Sequence, residues 1–323
     1  MQVTFTICSN NYLAQAAVLG RSLKAQAPGV PFFIFLCDAL RLDKITYDDL
    51  ADEVIPIAAI EPAMQELAHK YNIIELNTCV KPRVIEYLLQ ERGATKVLYL
   101  DPDIKVYSPL TPLFTALDSA DIILTPHVYT PIPIDNKKPA EHTFLNYGIY
   151  NLGFAGVSNR AEALRFTSWW KEHTYKEGYF APEKGIFVDQ LPINHAPIFF
   201  ENVQILPYRG ANMAPWNLHE RYLAFVNGQY VVNEKEPLMF YHFSSFGVDK
   251  NELPLHHYDR FKLAQRPDLH TLYAEYNEEL KAAGYAFYQQ FESSYSIMRK
   301  AYLEQLKNAK RPMRKLWKKL FRG

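Results

Sequence analysis

The sequence has few cysteines and no long apolar run. Its three cysteines, Cys8, Cys37 and Cys79, lie in apolar or helical stretches, without a CxxC pair or a cysteine–histidine spacing typical of zinc sites. We therefore predict buried free thiols and a reducing compartment. The longest apolar run, residues 30–37, is too short to span a bilayer, and no secretory signal is visible. These absences predict a soluble, cytoplasmic protein.

Glycine-rich phosphate-binding loops are also absent. The sequence contains no GxxxxGKS or GxxxxGKT segment, and no GxGxxG segment follows the first apolar stretch. In ATPases and dinucleotide enzymes these loops bring backbone N–H groups close to the phosphates. The chain is therefore predicted to belong to neither class.

Acidic residues are absent after Glu304, where eight basic residues follow: Lys307, Lys310, Arg311, Arg314, Lys315, Lys318, Lys319 and Arg322. Without these eight, the chain has 27 basic and 35 acidic residues, a charge of about −8, although the whole chain is neutral. An acidic body with a basic tail predicts no nucleic-acid partner for the body.

The apolar periodicity predicts an α/β fold. Strands are predicted at residues 3–8, 32–37, 97–100 and 122–125, and helices at residues 13–26, 62–71, 75–91, 110–116 and 161–173. Strands that alternate with helices at these lengths favour a mostly parallel central sheet with helices on both faces. Residues 267–308 are predicted to form a C-terminal extension of two helices.

Two segments interrupt this alternation. Residues 126–147 are rich in Pro, Asp and Lys and are predicted to form a long loop over the sheet edge, of a length that is usually functional or disordered. Residues 147–157 are β-prone, and Gly153 and Gly156 within them indicate a bulge or the close approach of a ligand or another backbone. Residues 174–260 are predicted to be irregular.

The most informative segment, KVLYLDPDIKV at residues 96–106, has Asp101 and Asp103 directly after a buried strand. Two carboxylates at this spacing point into one crevice at the C-terminal end of the strand, where open α/β sheets bind ligands. Such carboxylates raise each other's pKa, so a divalent cation between them is expected. The cation would hold a diphosphate and stabilise its departure. A solvated turn is the alternative interpretation of this pattern alone.

Several blocks of the sequence together resemble nucleotide-sugar glycosyltransferases of the GT-A fold, nearest the retaining family that includes lipooligosaccharide galactosyltransferases and glycogenin. The blocks are Ile7-Cys8-Ser9-Asn10-Asn11-Tyr12, Lys81-Pro82-Arg83, Asp101-Pro102-Asp103, Asn151-Leu152-Gly153, Phe187-Val188-Asp189-Gln190 and the segment from His242 to Lys250. They lie within residues 3–255. The resemblance implies a GT-A, Rossmann-like domain with a mostly parallel central sheet.

For the nucleotide, the resemblance implies that the segment with Cys8, Asn11 and Tyr12 binds the base, with the Tyr12 ring stacked on uracil. Lys250 would bind the phosphates within a His-x-x-Gly-x-x-Lys pattern. This sequence departs from that pattern, because Ser245 stands at the glycine and the lysine is displaced by two positions.

The resemblance also implies a metal site. Asp101, Asp103 and His242 would bind Mn²⁺ or Mg²⁺, and Asp101 would also contact the ribose. Two carboxylates and one imidazole suit such an ion.

For the sugar and the reaction, the resemblance implies that Asn151 and Gly153 contact the donor sugar and that Asp189, Gln190 and Lys81 are catalytic residues. Lys81 would neutralise developing phosphate charge. Arg83 lies two positions further along the same helix and faces another way. Retention of configuration is expected, and an inverting enzyme would need a carboxylate base, for which Asp189 is the candidate.

These features predict a hexosyltransferase-type enzyme that moves a sugar from a UDP-sugar to a hydroxyl acceptor, such as a bacterial cell-surface glycan or glycolipid. Two alternatives stay open. A nucleotidyltransferase on a similar sheet would carry a glycine-rich basic loop after the first strand, where this chain has Ser9-Asn10-Asn11-Tyr12. A non-catalytic glycan-binding or scaffold protein that has kept the fold is the other.

The chain is predicted to divide into a glycosyltransferase domain at residues 1–260, a helical extension at residues 261–308 and a basic amphipathic tail at residues 309–323. A short helix from Lys310 would have one apolar face, formed by Met313, Leu316, Trp317, Leu320 and Phe321. With basic residues elsewhere, it is typical of a helix on an anionic membrane surface. Docking on the acidic body, or disorder, is the alternative. A peripheral position on the inner face of the cell membrane is therefore expected.

Overall fold

The computed structural model describes residues 1–250 and 258–320 of the chain. Its strands are, in chain order, β1 (Gln2–Cys8), β2 (Phe32–Leu36), β3 (Glu53–Pro56), β4 (Lys96–Leu100), β5 (Ile104–Val106), β6 (Ile122–Pro126), β7 (Tyr150–Ser158), β8 (Phe180–Ala181), β9 (Ile186–Phe187), β10 (Val203–Ile205), β11 (Leu223–Val226), β12 (Gln229–Val232), β13 (Glu236–Pro237) and β14 (Phe240–His242). Its α-helices are α1 (Leu13–Gln26), α2 (Met64–Lys70), α3 (Ile73–Cys79), α4 (Lys81–Glu86), α5 (Thr111–Ala116), α6 (Glu141–Tyr147), α7 (Ala161–Glu177), α8 (Ala196–Phe199), α9 (His270–Ala282), α10 (Tyr285–Tyr288) and α11 (Ser294–Leu320).

The central sheet has seven strands in the order β10-β6-β7-β4-β1-β2-β3. Neighbouring strands run parallel except at β7, which is antiparallel to both β4 and β6. Successive side chains point to opposite faces, so Val97 joins one buried cluster with α4 and α7, while Leu98 joins another with α1 and α5. The predicted α/β fold, with a mostly parallel sheet, flanking helices and a helical C-terminal part, is therefore confirmed.

The strand directions bring four segments to one edge of the sheet. β1 and β4 are parallel neighbours, so the residues that follow them lie side by side. β7 runs the other way and begins at this edge, where the N–H of Asp101 donates to the carbonyl oxygen of Gly153 at 2.8 Å. The antiparallel pairing of β14 with β5 adds His242, opposite Ile104. This is the carboxyl edge at which open α/β sheets bind ligands.

The single helix predicted at residues 75–91 is wrong. The structure has α3, then α4, and then a π-helical turn at Tyr87–Glu91. α3 begins earlier than predicted because Asn72 and Glu75 form a capping box, in which Asn72 Oδ1 accepts from the N–H of Glu75 at 3.1 Å and Glu75 Oε2 accepts from the N–H of Asn72 at 2.8 Å. The break between α3 and α4 follows from Pro82, which has no N–H to continue the helical hydrogen bonds.

Three further expectations differ from the structure. Residues 126–147 are not entirely a loop, since α6 occupies their last part. Residues 174–260 contain the short strands β8 to β14 in their described part. No new helix begins at Lys310, because α11 runs without interruption from Ser294 to Leu320. Residues 321–323 of the predicted tail lie outside the described residues, and the three-part division of the chain stays a prediction.

Charged side chains from distant segments hold the proline-rich loop in place. Arg260 forms an ion pair with Asp135, at 2.7 Å between Nη1 and Oδ2, and donates to the carbonyl oxygen of Pro139 at 3.1 Å. Glu220 accepts a hydrogen bond from the N–H of Tyr129 at 2.9 Å. The loop is therefore held against the segments that contain Glu220 and Arg260.

The three cysteines are buried and free, as predicted. Burial raises the pKa of each thiol above its ordinary value. Because only a thiolate is a strong nucleophile or metal ligand, none of the three is suited to either role.

Candidate functional site

Two carboxylates and one imidazole converge after β4. Nε2 of His242, at the end of β14, lies 3.1 Å from Oδ1 of Asp103 and 3.6 Å from Oδ2 of Asp101. One possible ligand atom from each of the three residues lies within 4.8 Å of the others. His242 is buried and the two carboxylates are half-buried. The structure thus brings the three predicted metal ligands together.

This set of ligand atoms fits a divalent cation. Neighbouring ligands around an octahedral cation are about 3 Å apart when the metal–oxygen distance is about 2.1 Å, which matches the closer of the two His242 distances. Carboxylate oxygens suit both Mn²⁺ and Mg²⁺, and the imidazole nitrogen favours Mn²⁺ of the two. Burial raises the pKa of Asp101 in spite of the nearby positive charges of Lys81 and His242. A bound cation would favour the charged carboxylate and so relieve this cost.

A buried ion pair lies close to Asp101. Nζ of Lys81 donates to Oδ2 of Asp189 at 2.6 Å and to the carbonyl oxygen of Leu152 at 2.7 Å, and it lies 4.2 Å from the centre of the Tyr99 ring. These three contacts equal in number the three N–H groups of the ammonium. Both side chains of the pair are only 2% exposed. Lys81 is therefore directed at Asp189, and its predicted contact with phosphate stays a prediction.

Tyr99 connects this ion pair to the metal ligands, although no motif marks it in the sequence. Its hydroxyl donates a hydrogen bond to Oδ1 of Asp101, while its ring faces Lys81. Carboxylates that bind metals are commonly oriented by a hydrogen bond of this kind. The sequence feature that indicates this role is the position of Tyr99 two residues before Asp101, since alternate residues of a strand share a face.

Asp189 follows a strained backbone position. Val188 has a φ of +38°, in the left-handed region that β-branched residues rarely adopt. The N–H of Val188 donates to the carbonyl oxygen of Tyr179 at 2.9 Å. Nε1 of Trp170 donates to the backbone carbonyl oxygen of Asp189 at 2.8 Å. These bonds hold the turn in which the Asp189 side chain meets Lys81. Burial raises the pKa of Asp189 despite that positive charge.

Gly153 makes room for the imidazole of His242. A Cβ atom on Gly153 would lie 2.4 Å from Cε1 and 2.7 Å from Nδ1 of that ring, which no non-bonded contact allows. The same Cβ would lie 2.8 Å from Oδ1 of Asn151. The group that closely approaches Gly153 is therefore the side chain of His242. The predicted contact of Gly153 with the donor sugar stays a prediction.

Replacing Gly153 by alanine is expected to weaken Mn²⁺ binding by about 10- to 100-fold, because the added methyl group displaces the His242 ring from Asp103. Titration of Mn²⁺, followed by the electron paramagnetic resonance signal of the free ion, measures this. Gly29→Ala is the matched control, since a Cβ there meets no atom within 4 Å. Equal Mn²⁺ affinities of the two variants would contradict the role assigned to Gly153.

Asn151 and Gln190 belong to a buried hydrogen-bond network. Oδ1 of Asn151 accepts from Nδ2 of Asn212 at 2.9 Å. Gln190 uses both ends of its amide, since Oε1 accepts from the N–H of Leu152 at 2.9 Å and Nε2 donates to the carbonyl oxygen of Tyr147 at 2.6 Å. Hydrogen bonds therefore hold the side chains of Asn151 and Gln190 in place at the start of β7. Their predicted contact with the sugar stays a prediction.

The segment after β10 supplies the rest of this network. Nδ2 of Asn212 also donates to Oγ1 of Thr125 at 2.9 Å. The Trp216 ring meets the rings of His242 and His127 edge to face, with centres 5.1 and 5.3 Å apart. Burial lowers the pKa of His127 to about 3, so this side chain is neutral. Asn212 and Trp216 lie in an irregular segment, where no periodic pattern marks them as neighbours of the metal ligands.

The segment after β1 lies near the metal ligands. Tyr12 is 41% exposed, and burial of its hydroxyl together with the charge of Asp103 raises its pKa to about 12. The carbonyl oxygen of Asn11 accepts a hydrogen bond from Nε2 of Gln289 at 2.9 Å. Cys8 is buried, and its carbonyl oxygen accepts a hydrogen bond from the N–H of Cys37 at 2.8 Å. Base binding by these residues stays a prediction, with Tyr12 offering the exposed ring.

The contacts that the structure describes for Lys250 are with Gly247, and none is with a metal ligand. Its N–H donates to the carbonyl oxygen of Gly247 at 3.2 Å, and its aliphatic chain folds over that glycine. Ser245 has a φ of +59°, a conformation that glycine adopts more easily, and it stands where the family pattern has glycine. Binding of phosphate by Lys250 stays a prediction.

Metal binding is expected to weaken on acidification, because His242 binds a cation only in its neutral form. Burial disfavours the charged imidazolium, but the carboxylates of Asp103 and Asp101 outweigh burial and raise the pKa of His242 above its ordinary value. Below this raised pKa a proton competes with the cation, so Mn²⁺ affinity is expected to fall about tenfold per pH unit. Mn²⁺ titrations across a pH series measure this, and an unchanged affinity between about pH 8 and about pH 5 would contradict it.

Two proteins of Bacillus subtilis (strain 168) are similar to this chain in sequence. Uncharacterized protein YfnF is 28% identical over 277 residues, which cover 84% of this chain and 89% of YfnF. Uncharacterized protein YfnD is 26% identical over 210 residues, which cover 62% of this chain and 63% of YfnD. No family model matches the chain.

Among solved structures, the galactosyltransferase LgtC, crystallised with donor and acceptor sugar analogues, is similar with a TM-score of 0.48 and 16% identity, over 87% of this chain and 96% of LgtC. The glycosyltransferase GlyE of Streptococcus pneumoniae TIGR4 has a TM-score of 0.48 and 16% identity, over 91% of this chain and 66% of GlyE.

Proposed function

We propose that this chain is a metal-dependent glycosyltransferase that moves a sugar from a nucleoside-diphosphate donor, UDP above all, to a hydroxyl group of an acceptor. The observation that carries the proposal is the convergence of Asp101, Asp103 and His242 at the carboxyl edge of the sheet, near the exposed ring of Tyr12. A cation site near an exposed aromatic ring offers one place for a diphosphate and another for a base.

In this proposal Asp101, Asp103 and His242 bind Mn²⁺ or Mg²⁺. When bound, the cation neutralises the charge that develops on the leaving diphosphate. Tyr99 orients Asp101 through its hydroxyl, and the Tyr12 ring stacks on the base. The enzyme then acts mostly by positioning the donor and by stabilising the leaving group electrostatically.

Asn151, Asp189 and Gln190 are proposed to orient the donor sugar, with retention of anomeric configuration. An inverting enzyme needs a carboxylate free to take the proton of the acceptor, whereas the carboxylate of Asp189 is paired with Lys81. The leaving phosphate would take that proton instead. NMR of the product linkage tests this part, and a product of inverted configuration would overturn it.

Cleavage of UDP-hexoses tests the proposed activity. Release of UDP is measured for a panel of UDP-hexoses with Mn²⁺, in the presence and absence of EDTA. We expect cleavage of at least one of them and its loss with EDTA. Metal-dependent UDP binding without cleavage or transfer from any donor would overturn the activity and favour a non-catalytic glycan-binding protein.

We also propose that the acceptor is a glycan or glycolipid at a membrane surface, reached through α11. This helix packs on α2, where the rings of His69 and Tyr302 stack with centres 4.1 Å apart. Seven of the eight basic residues that follow Glu304 lie in its later part. Each basic residue near an anionic leaflet contributes about 1 kcal/mol. In the described part of the chain, no helix is both long and apolar enough to cross a membrane.

Deletion of residues 309–323 is expected to abolish sedimentation of the protein with vesicles that contain anionic lipid, because it removes seven of the eight basic residues after Glu304. Vesicles of neutral lipid are the control, to which the intact chain is expected not to bind. Unchanged binding of the deletion variant to anionic vesicles would overturn the membrane proposal.

A further inference from the structure

The C-terminal helices contact the segment that follows β1. α10 packs against the 3₁₀ turn Asn10–Tyr12, and Gln289, directly after α10, donates to the carbonyl oxygen of Asn11 at 2.9 Å. The N–H of Ser294, at the start of α11, donates to Oδ1 of Asp38 at 2.8 Å. Oδ2 of Asp38 accepts from the first N–H of that turn at 3.3 Å. The turn proposed to bind the base is therefore held from two points of the C-terminal helices.

Two tyrosines of these helices lie around Tyr12. Tyr285 is the first residue of α10 and is half-buried. Tyr276, on α9, is fully buried and stacks on Phe243, directly after β14, with ring centres 3.7 Å apart. Besides burial, Asp103 and Tyr285 contribute to the raised pKa of Tyr12, and Asp103 and Tyr12 contribute to that of Tyr276. The packing of α10 on the turn that ends at Tyr12 also brings Tyr285, the first residue of α10, towards Tyr12.

The hydroxyl of Tyr276 is an unsatisfied polar group on α9. It is buried and has no hydrogen-bond partner among the residues that the structure describes. Buried polar groups in folded proteins nearly always have a partner, in the protein, in ordered water or in a ligand. Its surroundings include Asp103 and Tyr12, which belong to the proposed donor site.

Resting on the proposed donor site, we propose that Tyr285 forms the second wall of the base site and faces Tyr12 across the nucleobase. A planar base between two aromatic rings gains stacking contact on both faces. The base site is thus completed by the C-terminal helices, and Tyr285 is a residue that determines affinity for the nucleobase.

Calorimetric titrations of the intact chain with UDP and with pyrophosphate, both with Mn²⁺ present, test this proposal. Tyr285→Ala is expected to weaken UDP binding about tenfold and to leave pyrophosphate binding unchanged, because pyrophosphate has no base. Tyr285→Phe keeps the ring and is expected to bind UDP as the unaltered chain does. Phe287→Ala is the matched control on the same helix, where Phe287 is 44% exposed and contacts Tyr288 and Phe291, and it is expected to change neither affinity.

Three outcomes would overturn the proposal. Unchanged UDP affinity of Tyr285→Ala would mean that Tyr285 does not contact the base. Equal losses for UDP and pyrophosphate in that variant would mean that α10 only supports the fold of the site. Absence of UDP binding by the unaltered chain would remove the donor site itself, and this failure is distinguishable because it precedes any substitution.

Discussion

Replacing Asp103 by asparagine is expected to lower the affinity for Mn²⁺ by at least about 100-fold and to abolish metal-dependent cleavage of the donor. The amide keeps the size of the side chain but removes one negative charge from a set of three converging ligands. The number and charge of the ligands largely determine the affinity of such a site. Electron paramagnetic resonance of free Mn²⁺ during a titration measures the affinity, and UDP release measures the cleavage.

Asp118→Asn is the matched control for this substitution. Asp118 is an exposed carboxylate that pairs with Lys96, away from the converging ligands. This variant is expected to bind Mn²⁺ and to cleave the donor as the unaltered chain does. Retention of Mn²⁺ affinity within about twofold in Asp103→Asn would contradict the assignment of Asp103 as a metal ligand.

Replacing Lys81 by methionine is expected to lower the free energy of unfolding by about 3–5 kcal/mol. The substitution leaves the Asp189 carboxylate buried without a counter-charge, and it also removes the donor to the carbonyl oxygen of Leu152. An uncompensated buried charge costs far more than the pair itself contributes, because the carboxylate has lost its water and gained nothing in exchange. Urea unfolding followed by circular dichroism measures the change.

The double variant Lys81→Met/Asp189→Leu separates this cost from a loss of packing. It removes both charges and is expected to recover a large part of the stability that the single variant loses, since hydrophobic replacement of a buried pair is often nearly neutral. Lys176→Met is the surface control, because the pair of Lys176 with Glu172 is exposed, and no measurable change is expected. A single Lys81→Met variant as stable as the unaltered chain would contradict the role of the ion pair.

Local patterns were sufficient for the elements with strong periodicity and clear ends. α1 covers the predicted residues 13–26, and β4 differs from the predicted strand only by beginning at Lys96. β3 was not predicted, because this short edge strand begins with an exposed glutamate and has no clear alternation. The direction of β7 was equally beyond the pattern. All its residues are buried, and apolar periodicity in any case indicates the face that a residue occupies, and not the direction of the strand relative to its neighbours.

The site was predictable where its geometry is local. Asp101 and Asp103 follow one strand, so their spacing alone places them together. His242 joins them only through the pairing of β14 with β5, which is distant in sequence and was indicated by family resemblance alone. Lys81 and Asp189 were both expected to contact the donor, but their mutual ion pair forms only when α4 and the turn after β9 meet at β7. No local pattern contains that information.

The central claim, a metal-dependent donor site, is tested most directly by calorimetric titration of UDP into the intact 323-residue chain, with and without Mn²⁺. We expect UDP to bind when Mn²⁺ is present and to bind much more weakly, or undetectably, when the metal is removed with EDTA. Equal binding in both conditions would contradict the role of the cation. Absence of binding in both conditions would contradict the nucleotide site itself.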